Sequence, residues 1–431
     1  MRIPTHRNIA VVSALVLLQL SCNDSPSTLA PPEEPGNQAN DRITIINEDD
    51  ELAGRVRYLD QDVPIDAMIE SAAMASAAQA RVAAPVFSLR LVAEVLPPSI
   101  DGQVLQATSI AMRGDRATVS YNMMGAQFLG AIDIFNISKK SRPQLRSRAL
   151  FNDTDINAVS IIEGNLYAAE STDDPTFPYP AGLEVLKLQS DKLVLDGNQR
   201  LALTSYAGTG VLATGTTIYT TTGDNGALSI IDEHTLAVST AIDLHDARWV
   251  DVAEGKVVVV QGTPGQISVY DEASMSLLGT YSFTGAGVAG SKSTVQVVGG
   301  KAFIAAGTGG VQILSVNTGA VVGSVPLPDP ALLGLDPSAV VTNAVAVDGD
   351  LLFISNGGAG VYIAQGSEVF DATGSEEQQQ ITLLGQLRFD DFPSINHVAF
   401  KNDYLIIASG LGGLKIIEIV WNDADGDGDG R

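Results

Sequence analysis

KAFIAAGTGGVQILSV (301–316) reads as an apolar strand, a glycine-rich turn and a second strand alternating apolar and polar residues. The pattern occurs seven times. Its second strand starts at Ile132, Leu183, Leu228, Ile267, Val311, Val361 and Leu414, at spacings of 51, 45, 39, 44, 50 and 53 residues. The strand before it is RATVSY in the first unit, KVVVVQ in the fourth and DLLFIS in the sixth. In the last five units the linking turn is TGDNGA, GTPGQ, GTGG, NGGAG or SGLGG. Glycine belongs there because a tight hairpin forces positive φ on its central residues. Spacings of this size suit four-stranded propeller blades. Each sheet is apolar on both faces, so neighbouring blades must cover it. The expected fold is all-β, a seven-bladed β-propeller of four-stranded antiparallel blades over 87–421.

The seventh unit, 395–421, supplies three strands and stops. FSLRLVAEVL (87–96) precedes the first complete unit and looks like the fourth strand of others, such as QLRSRALF (144–151). It is expected to complete the last blade and close the ring, removing a sheet edge that would seed aggregation.

Residues 1–22 read as a secretory signal: Arg2, His6 and Arg7 precede the apolar run IAVVSALVLLQL (9–20), too short to span a bilayer. It ends at Cys22, the single cysteine, in a context like a bacterial lipobox, although Gln19 stands where that motif has leucine. Cys22 is therefore expected to carry lipid, and with no second cysteine no disulfide forms within the chain. Residues 23–40 are polar and proline-rich, a flexible tether. An amino-terminal extension follows over 41–86, with one strand expected in 41–59 and a helix over the alanine-rich stretch 65–84. An Asp/Gly tail occupies 422–431. There Asp423, Asp425, Asp427 and Asp429 are candidate ligands for weak Ca2+ binding, because alternate carboxylates beside glycine can converge on one cation. The chain ends before the bidentate carboxylate such a loop requires, and no other cofactor is expected.

The net charge is −25, from 50 acidic and 25 basic residues. It argues against nucleic acid and against electrostatic docking on anionic lipid, leaving the lipid anchor as the membrane contact. The repeat resembles the LVIVD-repeat family of bacterial β-propellers: AIDIFNISKKSRP (131–143), GALSIIDEHT (226–235) and GGVQILSVNTG (309–319) carry its glycine turn, apolar strand and polar turn. The resemblance implies a propeller at the cell surface and no shared chemistry.

Catalytic signatures are lacking. GAGVAG (285–290) has the form of a dinucleotide fingerprint but is followed by the strand STVQVV, not a helix, and reads as an inter-blade loop. His234, His245 and His397 fall in different units, which disfavours a histidine-rich metal site. Aligning the first strand of each unit superposes Thr108, Asn157, Thr209, Arg248, Ser293, Asn343 and Asn396. All are polar, which predicts a polar ring at one channel mouth. The loops at that end add Asp153, Asp155, His245, Asp246, Asp390 and Asp391, with His397 beside the ring. The insertion STDDPTFPYPAG (171–182) adds Asp173, Asp174, Phe177 and Tyr179. The competing view is that ring residues merely satisfy backbone groups and hold channel water. The expected role is a monomeric binding or scaffolding module, lipid-anchored at the bacterial outer membrane or in the periplasm, for a protein or glycan partner. The alternative is an extracytoplasmic hydrolase or lyase with carboxylates at the mouth; few candidate bases tilt the reading to binding.

Overall fold

The computed structural model describes residues 35–66, 87–139, 141–389 and 394–421. Cys22 and the signal, most of the tether, nearly all of the expected helix, Asp390, Asp391 and the aspartate tail lie outside the described residues.

The seven units are seven antiparallel sheets. Blades 2 to 6 have four strands each, in sequence order from the innermost outward, starting at Thr154–Ile162, Gly210–Ala213, Ala247–Ala253, Val295–Val298 and Ala344–Asp348. Blade 1 starts at Gln106–Arg113 and ends at Gln144–Phe151. Blade 7 contains His397–Lys401, Tyr404–Ala408 and Leu414–Trp421, with Phe87–Val95 beside the last of these. The register runs from Leu414 opposite Val95 to Trp421 opposite Phe87, so the chain's two ends close one sheet.

The extension differs from the single strand expected in 41–59. It supplies two longer strands and the short helix Asp49–Ala53. Ile43–Ile46 pairs with Gln144–Phe151 as an extra outer strand of blade 1, and Gln38–Ala39, at the end of the expected tether, pairs beyond it. Val56–Val63 pairs with Phe87–Val95 as a fifth strand of blade 7. Ile43, Ile45, Leu52 and Val56 are buried by these contacts. Two apolar faces near the closure are thus covered by one extension.

Between blades the core is continuous. Phe303, Val311 and Ile313 of blade 5 pack with Val345, Leu352 and Ile354 of blade 6. At the closure Ala107, Ile110 and Val119 of blade 1 meet Ile406, Leu414 and Ile416 of blade 7 and Val92 and Val95 of the closing strand. The third strand's final polar residue caps the turn that follows: the Asp232 carboxylate accepts from Thr235 N at 2.8 Å, and Asp271 accepts from Ser274 N at 2.8 Å. This is the local reason for a polar residue after the apolar run.

The glycine turns also join blades. Gly223 N donates to Ala247 O (2.9 Å), Gly307 N to Thr342 O (3.1 Å), Ile395 N to Gly357 O (3.0 Å) and Ala107 N to Gly410 O (3.0 Å). At Gly307, where φ is +59°, a Cβ would lie 2.5 Å from Gly285 O. Close approach of blade 5's turn to the connection that leads in from blade 4 therefore excludes any side chain at that position.

Candidate functional site

The glycine turns and the inter-blade connections lie on one face and surround a cavity of about 1170 Å³. Thr108, Asn157, Thr209, Arg248, Asn343 and Asn396 line it, as the aligned ring predicts. Ser293 is fully buried behind the wall.

The ring's geometry favours the structural view of those residues. Thr108 Oγ1 donates to Ile156 O (3.1 Å), Asn157 Nδ2 to Gly208 O (2.9 Å) and Thr209 Oγ1 to Ala247 O (2.7 Å). Asn343 Nδ2 donates to Ile395 O (3.4 Å), and Asn396 Nδ2 to Ala107 O (2.9 Å). In each case the acceptor is the carbonyl immediately before the next blade's ring residue. These five side chains thus form a belt around most of the ring that satisfies strand-entry carbonyls, which would be costly if left unpaired. Arg248 extends the belt: Nη1 donates to Ala286 O at 2.8 Å and Val288 O at 3.0 Å, while Nε and Nη2 hold both oxygens of Asp246, at 2.9 and 2.8 Å. The GAGVAG stretch is thereby an inter-blade loop pinned by Arg248. Gly287 and Gly290 face the cavity.

The other expected site residues divide. Asp246 and His245 line the cavity, with His245 Nδ1 2.9 Å from Asp224. Asp153 lies outside the wall, paired with Arg42 at 2.8 Å. Asp155 also lies outside it, accepting from Met123 N (3.0 Å) and Leu129 N (3.3 Å), and burial pushes its carboxyl up to about 6. His397 is buried, 6% exposed, and stacked on Trp249 from the opposite side of the channel, with ring centroids 5.5 Å apart. Burial, reinforced by the charge of Lys292, presses its imidazole down to about 3. Tyr179 is 48% exposed but off the cavity wall.

Within the 171–182 insertion Asp173 and Tyr179 stay exposed, whereas Asp174 and Phe177 are drawn onto Arg200. Asp174 meets Arg200 Nη1 at 3.1 Å, and Phe177 lies under the same guanidinium, 3.8 Å from its carbon. Arg200 Nε also holds Glu170 at 2.6 Å, while Arg42 Nη1 holds Glu184 at 3.2 Å. Glu170 is fully buried, with Oε2 unpartnered, and burial together with the Glu184 charge pushes it up to about 7 despite the arginines. Because that value exceeds the ordinary 4.5, the folded state keeps this proton longer than the unfolded chain. The associated stability is complete below the unfolded value and is lost as pH rises through about 7. The stability difference between the wild type and Glu170→Gln should therefore shrink in the wild type's disfavour by on the order of 1 kcal/mol from pH 6 to pH 8. Urea denaturation of both proteins across that range checks it; parallel curves would refute it.

Several wall residues had escaped the ring alignment: Gln106, Asn122, Met124, Tyr206, Asp224 and Lys292. Met124 is 63% and Tyr206 70% exposed, large side chains at the edge of the cavity. Lys292 immediately precedes ring residue Ser293, so the signal lay one position outside the aligned segment.

Fold and mouth together define a closed seven-bladed propeller with a walled channel entrance on this face. Known structures agree on the fold. The chain is similar to Kuenenia stuttgartiensis hydrazine synthase at 14% identity, covering 74% of this chain and 99% of that one with a TM-score of 0.52. The WD40 β-propeller domain of Doa1 aligns at 11% identity over 75% of this chain and 96% of that one, with a TM-score of 0.50. BamB from Moraxella catarrhalis aligns at 12% identity over 85% and 98%, with a TM-score of 0.48, too loose a likeness to add to the fold. No protein-family model and no curated protein sequence matches the chain.

Proposed function

We propose that this protein is a lipid-anchored propeller of the LVIVD-repeat type at the bacterial cell envelope, binding a protein or glycan partner at the channel mouth. The observation that carries the reading is the cavity of about 1170 Å³ rimmed by exposed Met124 and Tyr206. Exposed side chains around a depression of mixed polarity on a rigid scaffold are the usual composition of a recognition surface. The belt residues hold the blades in register, so recognition belongs to the loops above them. Lipidation at Cys22 would tether the propeller to the membrane through the proline-rich segment, and the aspartate tail would take Ca2+ weakly.

Chemical cross-linking of the full chain in native envelopes, followed by mass spectrometry, tests the reading. Met124→Ala/Tyr206→Ala should abolish the partner cross-links, while Lys139→Ala/Glu377→Ala on the opposite face should leave them. The reverse pattern would move the working face to the other side. Intact mass of the extracted protein checks the anchor: a mature form without added acyl mass on Cys22 would remove that part.

A further inference from the structure

Lys292 is the unusual residue of the channel. It projects from the entry of blade 5, and its Nζ reaches the carbonyl of Asn157 in blade 2 at 2.5 Å. That bond uses one of the three ammonium donors. The residue lines the cavity and remains partly open to it. The other ionisable groups of the wall are matched, Arg248 with Asp246 and His245 with Asp224. Lys292 has no carboxylate partner among the described residues, although acidic residues outnumber basic ones 50 to 25 in the chain. Burial lowers its ammonium to about 8, which leaves it charged at neutral pH.

The surroundings restrict what this cation takes. Trp249 and His397, each one position further along its strand than a wall residue, stack across the channel and stay off the cavity wall. His397 remains neutral there, and its Nδ1 has no hydrogen-bond partner. One cation matches one negative charge. With Arg248 committed to Asp246, the described wall residues supply no second free cation of the Lys292 kind for a dianion. Around Lys292 the wall offers the second amide N–H of Asn122 and of Asn343, whose first N–H is held by Asn157 Oδ1 and Ile395 O respectively, suited to ligand hydroxyls, and Tyr206 offers a ring face at the rim.

We propose that the channel binds a small hydroxylated monocarboxylate, with the chemistry of a sugar acid, whose carboxylate pairs with Lys292. The inference rests on the mouth being a binding face and names a ligand class for it.

Calorimetric titration of the full chain in detergent, with glucuronate, glucose and glucose 6-phosphate as probes, tests it. Glucuronate should bind at least about tenfold more tightly than either other probe, and Lys292→Met should remove that preference, because a desolvated charge pair supplies it. Lys292→Arg should retain binding in part. Should Lys292→Met fail to fold, acetic anhydride labelling of the wild type replaces it: glucuronate should protect Lys292 and leave Lys139 labelled. Equal binding of glucuronate and glucose, unchanged binding by Lys292→Met, or no protection of Lys292 would each overturn the proposal. Tighter binding of glucose 6-phosphate would overturn the monocarboxylate in favour of a phosphate. If Met124→Ala/Tyr206→Ala loses the macromolecular cross-links while glucuronate binds nowhere, the ligand class fails and the binding face stands.

Discussion

A chain beginning at residue 97 should not yield a folded monomer, whereas one beginning at residue 86 should fold and melt below the full-length protein. The shorter form lacks Phe87–Val95, whose Phe87, Leu89, Leu91, Val92, Ala93 and Val95 are all buried. Each of the larger side chains contributes roughly 1.5–3 kcal/mol on burial, so the loss approaches the whole stability of a typical domain, about 5–15 kcal/mol. It also leaves Leu414–Trp421 as an unpaired edge with Leu414, Ile416 and Ile417 uncovered. Such an edge templates association between chains. The longer form keeps the closure and loses the outer strands Gln38–Ala39, Ile43–Ile46 and Val56–Val63 and the short helix Asp49–Ala53, with their smaller buried set. Light scattering after size exclusion, together with thermal melting, distinguishes the two. A monomeric short form with unchanged melting would refute closure as the source of stability.

The second large effect belongs to a buried ion pair within blade 1. Arg148 holds Asp133 through two bonds of 2.7 Å, and Tyr121 donates to the same carboxylate at 3.0 Å. Asp133 is fully buried and Arg148 is 3% exposed. Arg148→Met should destabilise by roughly 3–5 kcal/mol, because it leaves an uncompensated charge inside the sheet stack. Replacing both partners, as Arg148→Met/Asp133→Leu, should recover most of that loss, since the pair's own desolvation is then removed as well. Urea denaturation of the single and double variants measures it. A single variant within about 1 kcal/mol of the wild type would mean that Asp133 finds other compensation.

The polar ring shows both what the sequence reveals and where it misleads. Superposing strand entries brings Asn157, Arg248, Asn343 and Asn396 into one register, and the structure puts them in one wall. Their occupation is invisible locally: Asn396 is tied to Ala107 and Asn343 to Ile395, carbonyls of the neighbouring blade. The insertion 171–182 misled for a similar reason. Its aromatic and acidic residues suit an exposed rim, but Arg200 lies 26 residues from Asp174 and draws it inward. Lys292 carries no local signal, because a lone lysine before a strand is ordinary and only the fold shows its reach across the channel.

By itself the sequence determined the all-β class, the seven blades, the hairpin turns and the closing strand. Those depend on short-range patterns: strand periodicity, turns that demand positive φ, and a final unit one strand short. Only the tertiary structure decided which polar groups remain available at the mouth. Asn396 and Ala107 stand 289 residues apart, and Lys292 and Asn157 stand 135 apart. Ring closure brings such pairs together, and which of their donors and acceptors then remain open depends on contacts between blades that no local pattern encodes.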